Sequence, residues 1–188
     1  MKILSLLLLF ASPFAFADLT VKVYFHELGK DKKPLTAEFD AKESESNGHY
    51  LDVGQTPTAI EIAEEGEFRV SHQIHTNISI QDEGPHYDLY DWRSGKTEWK
   101  ELVAKSSPLP LAEFKKVPQP NATIEELVAE LKLRKAPRKW IDLVGQCPTI
   151  SSGPCAVAVG RHLFKIEEKS DGKWKPRGYL SLYPALGC

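Results

Sequence analysis

The stretch that decides the fold is residues 68–81, which read FRVSHQIHTNISIQ. Its even-numbered positions are mostly apolar, and all of its odd-numbered positions are polar or charged. A helix would mix the two sets around its axis, whereas a strand sends them to opposite faces. The stretch therefore predicts a long strand with one face toward a core, either continuous or divided by a turn at Thr76-Asn77.

The same period of two appears upstream of this stretch. Residues 19–26 alternate strictly, which predicts a strand with one buried face. Shorter strands are predicted over 35–39 and 59–63. A charged turn over 29–34 and a polar loop over 42–48 separate these segments.

A β-hairpin is predicted downstream, where residues 87–93 and 96–102 flank Ser94-Gly95. That two-residue loop would place three aromatic side chains on one hairpin face: Tyr90, Trp92 and Trp99. Such a face could stack on a sugar ring or anchor a protein partner, although clustered aromatic residues also typically belong to a core.

A single amphipathic helix is predicted over about 123–135. It opens with the capping box Thr123-Ile124-Glu125-Glu126, continues with an apolar stripe and ends before Pro137. Four prolines precede it within 106–121, and they predict an extended connector. Further strands are predicted over 140–144, 155–168 and 173–183.

Together these segments predict a mainly β protein, in which β-sandwich-like antiparallel sheets accompany one helix. We expect an N-terminal β-sandwich-like region over 18–105 and a Pro-rich connector over 106–121. A region with the helix and a C-terminal β-hairpin would follow over 122–188, unless it forms one continuous domain with 18–105.

The three cysteines allow one disulfide and leave one thiol over. Cys147 and Cys155 bracket a turn-rich loop that could bring them together. Alternatively, a two-residue turn at Asp171-Gly172 would place Cys155 opposite Cys188, provided that no bulge interrupts the hairpin. The sequence leaves both pairings open.

Residues 1–17 have the pattern of a cleavable export signal. Lys2 precedes an apolar run over 3–10, and Ala15-Phe16-Ala17 is a typical cleavage site. The run is too short to cross a bilayer, so we expect no membrane anchor. We expect cleavage at about Ala17 and a periplasmic or secreted protein, an oxidising location that suits a disulfide.

Residues 51–70 read LDVGQTPTAIEIAEEGEFRV. They resemble the PEGA module, a small β-sandwich of envelope and surface proteins, at these positions: Gly54, Thr56, Pro57, Ile60, Ile62, Gly66, Phe68 and Val70. The resemblance covers this segment alone. It implies an all-β envelope module and implies no activity.

Catalytic and metal-binding patterns are sparse in the sequence. There is no G-x-S-x-G motif, phosphate-binding glycine loop or zinc-finger spacing. On a strand, His72 and His75 would point to opposite faces and so could not together bind one metal ion. If Cys147 or Cys155 kept a free thiol beside His162, the two would form the Cys-His pair of a small hydrolase, with the thiol as nucleophile. We expect no metal and no cofactor.

Three functional hypotheses follow. The export signal and the lack of a catalytic spacing favour a non-catalytic binding protein of the periplasm, most of all an inhibitor or immunity-type protein that recognises a protein partner. The alternative is a cell-envelope structural or glycan-binding module, and the third is a Cys- or metal-dependent hydrolase. The formal charge of -2 excludes a strongly basic nucleic-acid binder. The strip Lys173-Trp174-Lys175 could meet an acidic surface or form a solvated hairpin edge.

Overall fold

The structure is a computed structural model that describes residues 19–26, 35–53, 55–84, 86–90, 92–103 and 107–185. The predicted export signal and Cys188 lie outside these residues. The strands and helices of the described chain are β1 Leu19–His26, β2 Leu35–Ala41, β3 His49–Val53, β4 Thr56–Ile62, β5 Phe68–Ile80, β6 Tyr87–Leu89, β7 Lys100–Glu101, β8 Leu109–Pro110, α1 Ile124–Leu133, α2 Arg138–Val144, β9 Cys155–Ser170 and β10 Lys173–Ala185.

The strands form two sheets, which confirms the prediction of a mainly β, sandwich-like protein. Sheet 1 has the order β2-β1-β4-β8. Sheet 2 has the order β3-β10-β9-β5-β6, and β7 pairs with β5 as well. The β3–β10 pair is parallel, whereas β5, β9 and β10 pair in antiparallel fashion. Sheet 2 therefore contains strands from both sides of the Pro-rich segment.

Two cores stabilise the molecule, and both include residues of sheet 2. In the first core, the buried face of β1 packs with residues of β5, β9 and β10, among them Val70, Phe164 and Leu180. In the second core, the helices pack against the other half of sheet 2 through Leu127, Leu131, Trp140 and Val144. The apolar even-numbered positions of β5 serve both cores, with Val70 in the first and Ile78 in the second.

The long strand β5 is continuous, without a turn at Thr76-Asn77. A register shift lies there instead, because His75 faces Arg161 while Thr76 faces Val159. Gly160 is thus an extra residue in β9, and a Cβ atom at this position would lie 2.8 Å from Cβ of Asn77. The bulge needs glycine because the Asn77 side chain already occupies that space.

Two local predictions were wrong. The expected hairpin of residues 87–93 and 96–102 does not form: β6 pairs with β5 at Ile78–Ile80, and β7 pairs with β5 at Ser71 and His72. Both segments thus run along the same edge of β5. The strand expected over 140–144 is helix α2, in which Trp140 and Val144 share the buried face at a spacing of four.

The helix and disulfide predictions were more accurate. Helix α1 carries the predicted capping box, in which Thr123 and Glu126 bond reciprocally. Cys147 and Cys155 form a disulfide. The turn at Asp171-Gly172 has the positive φ values of 54° and 73° that its sequence predicts. A bulge between Pro176 and Gly178 then shifts the hairpin register on which the alternative pairing depended.

No helix in the described part of the chain has the length and apolarity needed to cross a bilayer.

Candidate functional site

A cavity of about 350 Å³ lies where β3, the end of β6 and the end of β10 approach the loop of residues 42–48. Three tyrosines line it, Tyr50, Tyr90 and Tyr183, together with one carboxylate and one guanidinium, Asp88 and Arg134. Ser46 and Gly48 complete the lining. We call this cavity the tyrosine pocket.

The pocket lies on the polar face of sheet 2, opposite the face that contributes to the cores. Across the sheet, Ser79 of β5 faces both Asp88 of β6 and Ala156 of β9, and Asn77 faces Ala158. Asn77 and Ser79 are buried on this face, whereas Asp88 lines the pocket together with the three tyrosines. The alternation that forms the core on one side of β5 thus places polar residues on the other.

The three tyrosine rings contact one another and form two walls. Tyr50 stacks on Tyr183 with ring centroids 5.1 Å apart and an interplanar angle of 25°. Tyr90 meets Tyr183 at 88°, with centroids 6.3 Å apart. Tyr50 is 76% exposed, so its ring is held at the surface mainly by this stacking. Burial is the main reason that the pKa of Tyr90 is raised, and the nearby Asp88 carboxylate adds to it.

Arg161 fastens the loop of residues 42–48 to the sheet. Its Nε and Nη2 atoms donate to Oγ of Ser181 at 3.2 and 2.7 Å, and Nη2 also donates to the carbonyl oxygen of Glu45. The Ser181 hydroxyl donates to the same carbonyl at 2.8 Å. Arg161 is only 9% exposed, and no carboxylate of the described residues forms an ion pair with it.

Gly48 allows the loop to approach Tyr183 closely. A Cβ atom at Gly48 would lie 2.4 Å from Cε2 of Tyr183 and 2.7 Å from Cβ of Ser181. Real side chains do not come so near to a ring. The loop can therefore hold the Tyr183 ring in the pocket wall only because residue 48 lacks a side chain.

Several buried polar atoms on the polar face of sheet 2 have no hydrogen-bond partner among the described residues. They are both amide atoms of Asn77, the hydroxyl of Ser79 and the Oδ1 atom of Asp88. Asn77 is fully buried and Ser79 is 1% exposed. Buried polar groups in folded proteins are nearly always paired, and an unpaired one costs free energy. Of these residues, Asp88 lines the tyrosine pocket, whereas Asn77 and Ser79 do not.

The buried histidines divide between the two faces of sheet 2. His75, on the polar face, bonds through Nε2 to Oε1 of Gln73 at 2.8 Å. It is only 5% exposed, although it belongs to the polar face of the strand. Burial lowers the pKa of His75 to about 4, and the positive charges of Arg161 and Lys96 contribute.

On the core face, Nε2 of His72 lies 3.1 Å from Nδ1 of His162. The His72 ring also stacks on Phe164 and meets the edge of Phe114. Burial lowers the pKa of His72 to about 3, with help from His162 and Lys100, and lowers that of His162 to about 4. Among the described residues no group of three potential metal ligands occurs.

The structure separates the aromatic residues singled out from the sequence. Tyr90 lines the tyrosine pocket. Trp92 packs beside the helices in the second core. Trp99 is 37% exposed, and Nζ of Lys165 lies 5.8 Å from its ring centroid. The predicted hairpin would have placed these three aromatic residues on one face. They are separated because both segments of that hairpin pair with β5 instead of with each other.

The strip Lys173-Trp174-Lys175 lies at the start of β10, next to the turn. Its two lysines are exposed, and Lys175 pairs with Asp171 at 3.4 Å. The guanidinium of Arg69 lies 4.9 Å from the centroid of the Trp174 ring. The strip is a solvated hairpin edge whose tryptophan is already covered by cations of its own chain.

The hydrolase hypothesis loses its nucleophile in this structure. Cys147 and Cys155 are joined, so neither supplies a thiol. His162 bonds with His72 rather than with a cysteine. The lining of the tyrosine pocket consists of hydroxyls, a carboxylate and a guanidinium, which are groups suited to binding.

Sequence reasoning missed most of the pocket. Of the lining residues, only Tyr90 was singled out from the sequence, whereas Tyr50, Asp88 and Tyr183 were not. Tyr50 and Tyr183 meet through the parallel pairing of β3 with β10, which no local pattern indicates. One feature of the sequence could have indicated the pocket: all odd-numbered residues of β5 are polar. A polar strand face can line a binding site as well as face solvent.

Comparison with known proteins gives no matching family model, no similar curated protein and no similar solved structure.

Proposed function

We propose that this protein is a non-catalytic binding protein of the periplasm or cell envelope, and that its tyrosine pocket binds a glycan. The observation that carries the proposal is the pocket itself, where three tyrosine rings lie beside Asp88, whose buried Oδ1 atom has no hydrogen-bond partner among the described residues. Sugars present apolar C–H faces to aromatic rings and hydroxyls to polar side chains. Pockets that combine both kinds of contact fix such ligands in one orientation.

The expected export signal supports the proposal, because envelope glycans lie outside the cytoplasm. The proposed ligand is thus still a glycan, but the residues proposed to bind it differ from those singled out in the sequence. Of the aromatic residues first considered, only Tyr90 lines the pocket, and Tyr50 and Tyr183 take the places expected for Trp92 and Trp99.

The test is calorimetric titration of the purified protein with soluble fragments of peptidoglycan and of other envelope polysaccharides. Tyr50→Ala should weaken binding at least about tenfold, since stacking rings are typical anchors of binding energy. The matched control is Trp99→Ala, which removes an exposed aromatic ring outside the pocket. The proposal fails if no glycan binds, or if Tyr50→Ala and Trp99→Ala bind equally well.

A second candidate is protein recognition of the inhibitor or immunity type. The observation that favours it is strand β2, which stands at the end of sheet 1 and pairs with β1 alone among the described strands. Near its end, the carbonyl oxygen of Asp40 lies 3.3 Å from Nε2 of His49, and Lys42 bridges to Tyr179. The part of this edge strand before Asp40 is where a partner strand can add.

Hydrogen exchange distinguishes this candidate. A protein partner retained from a periplasmic extract should slow the exchange of β2 amides and leave those of α2 unchanged. Equal exchange in β2 with and without the retained partner would exclude recognition by this edge.

A further inference from the structure

We infer that the group recognised in the tyrosine pocket is a positively charged ammonium, so that the glycan bound there carries a free amino group. The inference rests on the proposed function and names the chemical class of its ligand. Its basis is that the tyrosine rings and the carboxylate of Asp88, one oxygen of which has no hydrogen-bond partner among the described residues, line the same cavity.

The aromatic walls suit a cation. The Tyr50 and Tyr183 rings are nearly parallel at 25°, and Tyr90 stands at 88° to Tyr183. One face of Tyr183 is already covered by Tyr50, and Cζ of Arg161 lies 5.7 Å from the Tyr183 centroid, so the 76% exposed ring of Tyr50 is the aromatic surface open to a ligand. The face of an aromatic ring carries negative electrostatic potential and attracts ammonium groups.

Asp88 supplies the matching charge. It lines the pocket, and its Oδ1 atom is buried with no hydrogen-bond donor among the described residues. A buried carboxylate oxygen without a donor is costly, whereas a charge-assisted bond from an N–H group is among the strongest polar contacts.

The neighbouring arginines do not reverse this preference. Arg134 also lines the pocket, but its Nε atom donates to Oε1 of Glu130 at 2.6 Å, so a carboxylate already balances its charge. Arg161 lies with Cζ 5.7 Å from the centroid of Tyr183 and donates to Ser181 and to the carbonyl oxygen of Glu45. Asp88 is therefore the charged lining residue whose buried atom still lacks a described partner.

Three oligosaccharides that differ in charge test the inference: oligomers of glucosamine, of N-acetylglucosamine and of galacturonate. Titrated at neutral pH, the glucosamine oligomer should bind at least about tenfold more tightly than the other two. If the neutral or the anionic oligomer binds as tightly, the ammonium inference is wrong while the glycan-binding function stands. If none of the three binds and other envelope glycans fail as well, both fall.

The variant Asp88→Asn keeps the shape of the side chain and removes its charge. It should weaken binding of the glucosamine oligomer at least about tenfold, and by a larger factor than it weakens binding of the N-acetylglucosamine oligomer. The matched control is Asp142→Asn, an exposed residue of α2 outside the pocket, which should bind like the unaltered protein. Circular dichroism of each variant checks folding, and unchanged glucosamine binding in folded Asp88→Asn would overturn the inference.

Discussion

At the scale of single residues, Arg161 is the side chain that links sheet 2 to the loop of residues 42–48. Arg161→Ala should destabilise the protein by about 1–3 kcal/mol, because the buried Ser181 hydroxyl loses the guanidinium that donates to it. Urea unfolding of Arg161→Ala measures the loss. The control is Arg138→Ala on α2, where the side chain is 91% exposed and little change is expected. Equal stability of the two variants would contradict the role assigned to Arg161.

Gly48 is the residue on which the pocket wall depends most directly. Gly48→Ala should lower stability by about 1–3 kcal/mol, since the new methyl group and the Tyr183 ring cannot occupy the same space. It should also weaken glycan binding by moving Tyr183. Gly145→Ala is the matched control, because its Cβ atom would lie 3.4 Å from the nearest atom. If Gly48→Ala lowers the melting temperature no more than Gly145→Ala does, the Tyr183 ring can move aside without a loss of stability.

At the scale of elements, the disulfide joins the segment after α2 to the first residue of β9. Its removal by the double variant Cys147→Ala/Cys155→Ala should cost about 2–3 kcal/mol, the value expected when a short loop is no longer closed. Denaturant unfolding with and without a reducing agent measures this cost in the unaltered protein.

Thiol counting completes that test. The chain has three cysteines, so unfolding without reduction should reveal one reactive thiol, and unfolding with reduction three. Three reactive thiols in the absence of a reducing agent would mean that the bridge does not form.

Patterns of neighbouring residues correctly predicted the helices and strands that are determined mainly by their own sequence. The capping box marked the start of α1, and strict alternation marked β1. Helix α2 was mistaken for a strand because a run of five mostly apolar residues fits either period. The hairpin prediction was wrong for another reason: both of its segments pair with β5 instead of with each other. The sequence between the two segments does not show that one edge of β5 is available for pairing.

The candidate site was less predictable than the fold. Tyr90 stood out in the sequence as one of several aromatic residues, but its neighbours in the pocket come from β3 and β10. The polar face of β5 could be recognised from its odd-numbered residues. That Asn77 and Ser79 are buried depends on the whole sheet, and no residue near them in sequence reveals it.

At the scale of the whole molecule, three buried histidines make stability depend on pH. The pKa is lowered to about 3 for His72 and to about 4 for His75 and His162, against an ordinary value of 6.5. The unfolded chain therefore binds more protons between pH 6.5 and 4, and stability falls as the pH falls through that window. The slope is at most about 1.4 kcal/mol per pH unit for each histidine.

Denaturant midpoints at pH 7.5 and pH 5 measure this loss. His162→Phe should reduce the dependence, because it removes one buried imidazole. His26→Gln, an exposed position at the end of β1, should leave it unchanged. Equal midpoints of the unaltered protein at both pH values would contradict the burial of these rings.

The long strands of sheet 2 have a consequence for dividing the chain. Each core combines residues from both sides of the proline-rich stretch, Val70 with Phe164 in the first core and Ile78 with Leu127 in the second, so a cut in that stretch leaves neither half with a complete interior. Severing the backbone within the proline-rich stretch should yield two polypeptides that are insoluble when produced separately and recover structure only when mixed. Such fragment complementation would behave like a split reporter, in which association and folding are a single event.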